Sequence, residues 1–526
     1  MQPADSANLR HHLLGSLTDA LEERTVCATD ASPLAVVPSA VAYPRTVADV
    51  QLLAAQGGAV SSPAGLTARG GGNNKTGAAV GAGTVVAFSA HLSTIKHIGK
   101  HSVTVEAGAN LDALQQTLRT HGRWVPITAH SPSATAGGLV SMGGGTSLKY
   151  GPINRWVQSL KVVLDDGSLI ETKRLSRWEL NRKKGRMTRE GELYRSLDGL
   201  LQDHRALVAD SQPAVAINAA GYRLEAIKRR DGSFDLVQLY CGAQGTLGLI
   251  VEVTVKTLAY DPRRTVVAGY FDGWEAAGAA VLQLRKLQPS RLEAVDAASL
   301  EGVRAEMPGL ATGLFPETAP AVMLLAEFDH DSHLRQNRAG RRAERLMTQL
   351  GVGCHKTQSP AEQERLWAVV AAVPVALRRQ TAGAAKPLPL LEGSAVPVER
   401  LPELAVEAGR LLAKHKTGSP LWGAVGIGNL QLQPAFDLTK ARGRRTAVKL
   451  ASEFYSLVIK LGGTPSATES DGRWRAPYLE SLYGPEMYQL LVETKRLCDP
   501  AGIFNPGVKL GVGAKSLESL MRHTNL

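Results

Sequence analysis

Leu9, Leu13, Leu17 and Leu21 recur at every fourth position, which predicts an amphipathic helix from Asn8 to Arg24. A second helix is predicted after Pro44, with Thr46 as N-cap and Asp49 three residues on. Leu111 to His121 reads as a third helix, after the short strand signals Val85 to Phe88 and Val103 to Gly108. Leu160 to Leu164 and Leu169 to Glu171 flank Asp166-Gly167, a pair that favours a tight hairpin turn. Gly248 to Val255 reads as a long strand. Helices and short strands in alternation imply α+β packing. Beyond Tyr260 to Arg264 the texture changes. Thr265 to Phe271 and Ala321 to Phe328 read as strands, each near a long helix (Trp274 to Leu287; His333 to Leu350). That pattern predicts a second domain with an antiparallel sheet. Ala382 to Pro397, rich in Pro, Gly and Ala, reads as a loop, and Lys495 to Val512 returns to turn chemistry.

At 526 residues the chain calls for two or three domains. An apolar fraction of 44% with 21% charged residues fits a globular protein, and no run reaches the roughly 18 apolar residues of a membrane span. Arg10, His11, Glu22, Glu23 and Arg24 interrupt any leader-like apolar core. Cys27, Cys241, Cys354 and Cys498 lie far apart without a Cys-x-x-Cys, so no iron–sulfur cluster or zinc knuckle is expected. Free thiols fit the cytoplasm. The net charge of +12 favours acidic substrates, anionic lipid or an acidic partner. Nucleic acid is not expected, because only 5% of residues are aromatic and no stacking platform is evident. Much of the excess charge falls in Lys173 to Arg195. That segment reads either as a solvated insertion or as a patch, with Trp178 as anchor, that docks a protein or the inner face of a membrane.

The run Ala68-Arg69-Gly70-Gly71-Gly72-Asn73-Asn74-Lys75-Thr76-Gly77 carries the first chemistry. Three glycines let backbone N–H groups approach a ligand and form a nest for phosphate oxygens. Alone, the run reads rather as a flexible surface loop, since a lone glycine cluster is weak evidence. Three further segments stand with it: Pro132 to Gly145 followed by Lys149-Tyr150-Gly151; Gly242 to Ile250; and Asp499 to Lys509. In this order the four resemble the FAD-linked oxidases of the vanillyl-alcohol oxidase type. The branch they match contains D-lactate dehydrogenases, D-2-hydroxyglutarate dehydrogenases and the flavin subunit of glycolate oxidase. The resemblance runs from about Pro44 to Lys509.

The resemblance implies an α+β protein: a two-part PCMH-type FAD-binding domain (residues 39–260) and an α+β cap, or substrate, domain with an antiparallel sheet (261–490). A helical extension (1–38) precedes them and a segment returning to the flavin (491–526) follows. The implied FAD contacts are Arg69, Gly70, Gly71, Gly72, Asn73 and Asn74 in the first loop. Pro132, Ser133, Thr135, Gly137, Gly138, Ser141, Gly144 and Tyr150 follow in the second, with Gly245, Gly248, Ile250 and Asn505 beyond. Some relatives attach FAD through a first-loop histidine, which is missing here, so FAD is expected to be noncovalent. His130 is read as a polar neighbour only.

The catalytic half departs from the family pattern. The motif G-H-A-G-D-G-N-L-H, whose histidines bind a metal in this branch, corresponds to Gly423 through Gln431, with Ala424 and Gln431 at the two histidine positions. The motif G-G-x-x-x-G-E-H-G-D-G corresponds to Gly462 through Gly472, with Thr468 at the ligand and Glu469 at the base. No metal site is therefore expected. Glu469 is read as a carboxylate base, and Arg473, Arg378 or Arg379 as the clamp for an acidic substrate. The implied function is oxidation of a small 2-hydroxyacid-like substrate by hydride transfer to flavin N5. Electrons would pass to an iron–sulfur protein, a quinone, a cytochrome or oxygen. The alternative is an FAD-binding subunit of a glycolate-oxidase-like complex without catalysis of its own.

Overall fold

The computed structural model describes residues 10–59, 65–127, 131–380 and 383–523. His130 lies outside the described residues. Among the described residues, one large apolar core lies in the first unit and two more line the faces of the second unit's sheet. The first core joins two sheets. One has four strands in the order Ser16–Thr18, Ala40–Tyr43, Thr84–Ala87 and Leu66–Arg69; its last three strands run parallel. The other has six antiparallel strands in the order Phe234–Asp235, Leu169–Leu175, Val157–Val163, Leu249–Lys256, Ser102–Glu106 and Ile95–Ile98. The hairpin at Asp166-Gly167 and the long strand after Gly248 form where the pattern predicts them. The short helix Ala136–Met142 packs on the strands Leu249–Lys256 and Ser102–Glu106.

The N-terminal segment differs from its reading. Within the described residues it is not one helix: Ser16–Thr18 is a strand paired with Ala40–Tyr43, and a new helix begins at Leu21. Two features break the helix. The Asp49 carboxylate takes the N–H groups of Leu14 and Gly15, at 2.8 and 3.1 Å. Gly15 also lies where a Cβ would run into the Tyr43 carbonyl, so the strand can close only on a glycine. Leu13 and Leu17 are buried as the pattern asks, but Leu21 is 69% exposed.

The second unit holds the sheet Gly353–Thr357, Thr265–Phe271, Val322–Phe328, Arg291–Asp296 and Trp422–Gly423, antiparallel throughout. Successive side chains alternate across it. Val267, Phe271, Leu324 and Ala326 face the helices Trp274–Arg285 and His333–Leu350. Val266, Ala268, Met323 and Leu325 face Ala297–Glu306 and Pro360–Gln380. The chain then returns to the first unit: Phe504 bridges Leu66 in parallel, and Asn505 N–H donates to the Leu66 carbonyl.

In the basic segment, Arg174, Lys183, Lys184, Arg186 and Arg189 each pair with a carboxylate. Trp178 is 68% exposed beneath the Arg182 guanidinium. Among the described residues, no helix is long and apolar enough to cross a membrane.

Candidate flavin and substrate cleft

A long cleft runs between the two units, and its first wall is the glycine run. The strand Leu66–Arg69 delivers the chain to Gly70 and Gly71, which press against the loop before the Ala136 helix. A Cβ at Gly70 would meet the Thr135 hydroxyl, and one at Gly71 the Ser133 carbonyl. Gly72 takes φ +67°, open to glycine without strain. The Asn74 carboxamide oxygen holds the following turn, accepting from Thr76 N, Thr76 Oγ1 and Ala78 N, each at 2.9 Å. Among the described residues, the N–H groups of Gly70, Gly71, Gly72 and Asn73 make no hydrogen bond within the protein. Backbone donors left open in this way suit phosphate oxygens.

The opposite wall is the helix Ala136–Met142, capped by Thr135 Oγ1 accepting from Gly138 N at 3.2 Å. A Cβ at Gly137 would lie 2.8 Å from that of Ala107, and one at Gly144 would meet the Thr468 backbone. Arg69, Gly70, Gly71, Gly72, Asn73, Asn74, Thr135, Gly137, Gly138, Ser141, Gly144, Gly245 and Ile250 all line the cleft, and so does Glu469.

Five of the sequence-read contacts stand outside that lining. The Pro132 carbonyl accepts from Asn110 Nδ2 at 2.7 Å, and Ser133 backs Gly71, so both shape the loop. Tyr150 donates to Asp329 Oδ2 at 2.5 Å, joining the two units. Gly248 faces Val162, where a Cβ would sit 2.8 Å from Cγ1. The Asn505 side chain is spent on backbone: Nδ2 donates to Ala78 O and Gln244 O, both at 2.8 Å, and Oδ1 accepts from Thr67 Oγ1 at 3.1 Å. Asn505 thus pins the glycine run to the Gln244 turn from behind.

The inner end of the cleft gathers charge. Glu469 is buried with Oε1 held by Arg475 Nη2 at 3.1 Å, while among the described residues its Oε2 has no partner. Arg475, fully buried, also donates to Tyr455 Oη at 3.2 Å and to the Glu469 carbonyl at 3.1 Å. Burial pulls the Arg475 guanidinium down, but Tyr455 and Glu469 outweigh it and keep the charge. Lys75 of the glycine run reaches across to Glu392 Oε2 at 2.5 Å, and Gln433 donates to Glu392 Oε1. Burial opposes the Lys75 charge, yet Glu392 and then Glu469 shift the ammonium upward. Glu392 is placed by a turn in which the Gly393 carbonyl accepts from Ala467 N and Thr468 N.

The three arginines read as candidate clamps do not reach this end. Arg473 is buried against the first sheet, with Nε and Nη2 donating to the Val80 carbonyl at 3.3 and 3.0 Å. Burial lowers its guanidinium to about 10. Arg378 and Arg379 are exposed near the end of the Pro360–Gln380 helix, outside the lining. The sequence reading missed Lys75, Glu392 and Arg475. Signals existed: Lys75 stands inside the quoted glycine run, and Glu392 is the only acid in Ala382 to Pro397.

At the two positions matched to the family's metal-binding histidines, Ala424 has no side-chain donor atom and packs with Ile217 and Ile427. Gln431 Nε2 points to Asn429 Oδ1 at 3.4 Å. Among the described residues, no group of three or more His, Cys, Asp or Glu could hold a metal ion. This donor set does not suit the family's metal.

Residues 38–173 match the family model for the FAD binding domain, and residues 261–508 that for FAD linked oxidases, C-terminal domain. The chain belongs to the FAD-linked oxidase family, and FAD is its cofactor. It is 29% identical over 512 residues to D-2-hydroxyglutarate dehydrogenase of Pantoea ananatis, covering 94% of this chain and 50% of that protein. The chain thus spans about half the length of this relative. It is 24% identical to glycolate oxidase subunit GlcD of Bacillus subtilis, covering 92% of each. Among solved structures it resembles p-cresol methylhydroxylase with substrate bound, at 15% identity and TM-score 0.70 over 98% of both chains, a likeness of fold. Family, cofactor and the two-unit α+β fold agree with the sequence reading.

Proposed function

We propose that this chain is an FAD-dependent dehydrogenase of CH–OH donors, with a small 2-hydroxyacid-like substrate, noncovalent FAD and no catalytic metal. Bound FAD supplies the hydride acceptor at N5 of its ring. The observation that carries the reading is Glu469: it lines the cleft, one carboxylate oxygen is fixed by buried Arg475, and among the described residues the other makes no hydrogen bond. A base so oriented takes the hydroxyl proton as the C–H bond breaks. The glycine run holds the pyrophosphate through its open N–H groups, and heat-precipitated protein should release its flavin into solution. Names of relatives support the donor class: D-2-hydroxyglutarate dehydrogenase and D-lactate dehydrogenase both act on hydroxy acids.

The test is anaerobic mixing of the FAD-loaded chain with D-2-hydroxyglutarate, D-lactate and glycolate. Bleaching of the flavin bands is expected with at least one of them, slowed about 10²- to 10⁴-fold in Glu469→Gln. Bleaching by none, with other alcohols and amines equally inert, would sink the reading. It would leave a second one that the full-length match to a glycolate oxidase subunit favours: an FAD-binding subunit, docked through the exposed Trp178–Arg182 corner.

A further inference from the structure

With Arg473 and Arg378 outside the cleft, a cation for an acidic substrate must come from elsewhere. Among the described residues, two basic side chains line the cleft, Arg69 and Lys75. The Arg69 guanidinium is committed to the base of the glycine run: it packs where a Gly72 Cβ would stand, and its Nη1 donates to the Ala79 carbonyl at 3.1 Å. Lys75 is placed differently. Its ammonium sits near Glu469 and gives one contact to Glu392, leaving further N–H donors. The side chain is 36% exposed, while Glu392 behind it is 1% exposed. Glu392 is itself fixed by Gln433 on its second oxygen, so it acts as a rigid backing for the ammonium. The pair also spans the two units, because Lys75 comes from the cofactor loop and Glu392 from the loop after the Pro360–Gln380 helix.

We propose that Lys75 is the anchor for the substrate's carboxylate, and that Glu392 is a positioning residue that aims it. This rests on the dehydrogenase reading above and names its specificity-determining residue. An ammonium is a compact point charge, unlike the two-pronged guanidinium, so one carboxylate oxygen meets one donor. Lys75 lies three residues beyond Gly72, so the loop that holds the flavin also sets where the acid group sits. Lys75 and Glu469 line the same cleft, so one substrate can offer its carboxylate to the first and its hydroxyl to the second.

The test uses the full FAD-loaded chain and oxalate, an unreactive acid, with binding read from perturbation of the flavin absorbance. Lys75→Met and Lys75→Gln should weaken oxalate about 10- to 100-fold, the loss of one charge-assisted contact. Lys75→Arg should retain most of the affinity, and Glu392→Gln should fall between. For whichever hydroxy acid bleaches the wild type, KM should rise more than kcat falls. Should Lys75→Met shed FAD, Lys75→Gln against Lys75→Arg decides. Equal oxalate binding in wild type and Lys75→Gln overturns the anchor and leaves the dehydrogenase reading standing. A wild type that ignores every acid but is bleached by an uncharged alcohol overturns the anchor and the hydroxy-acid substrate, and leaves only the CH–OH dehydrogenase class. A wild type that neither binds acids nor is bleached by any donor overturns both.

Discussion

At the scale of single residues, one methyl group separates the glycine run from failure. A Cβ at Gly71 points into the Ser133 carbonyl, so Gly71→Ala must push the two cofactor loops apart. Overpacking of this kind costs about 1–3 kcal/mol, and FAD retention through dialysis should fall about tenfold or more. An unchanged flavin content in the purified variant would contradict that. These glycines were legible in the string because close backbone approach admits no other residue. Side-chain direction was not. Arg473 and Arg475 lie two residues apart within the turn that opens at Gly472 (φ +57°), the first reaching Val80 and the second sitting behind Glu469. No local pattern distinguishes them, so the sequence reading picked out Arg473, whose guanidinium the fold turns to Val80 and away from the cleft. Lys75 escaped notice for the opposite reason: beside so many glycines it read as part of a phosphate loop, and its partner Glu392 is 317 positions away.

Among elements, runs bounded by their own caps or turns were read well and the leucine period of the first segment poorly. The helix after Thr46 forms as expected: Thr46 Oγ1 accepts from Asp49 N at 3.2 Å, and Asp49 Oδ2 accepts from Thr46 N at 3.0 Å. The same carboxylate binds Leu14, Gly15 and Arg45, and there it overrides the leucine period of the first segment. Burial alone would raise the Asp49 carboxyl, but these backbone donors outweigh it and hold it below the ordinary range. A group depressed in the folded state contributes above the ordinary carboxylate range, and that contribution is lost as pH falls through the folded value. Asp49→Asn should therefore cost about 1–2 kcal/mol near neutrality. The gap to wild type should close in acid. Thermal melts of both proteins across pH 7 to 3 would expose a gap that stays constant, which would rule out this role.

At the scale of the whole molecule, the two units are joined by buried charge. Lys509 and Asp471 are both fully buried and 2.7 Å apart, and Asp471 also accepts from Gly221 N and Ser466 Oγ. Removing one partner of a buried pair strands the other, so Lys509→Met should cost about 3–5 kcal/mol. Lys509→Met with Asp471→Asn should recover part of it, visible as an upward shift in melting temperature relative to the single variant. A double variant no better than the single would show that the charge itself is not what matters. The same region bears on how the protein comes into being. Thr67 and Asn505, which close the back of the flavin cleft, are 438 positions apart. The glycine run therefore stays without this backing until the Asp499–Lys509 stretch has been made. A chain cut short before Asp499 would keep every glycine of the run and still lack the Asn505 contacts to Thr67, Ala78 and Gln244 that back it.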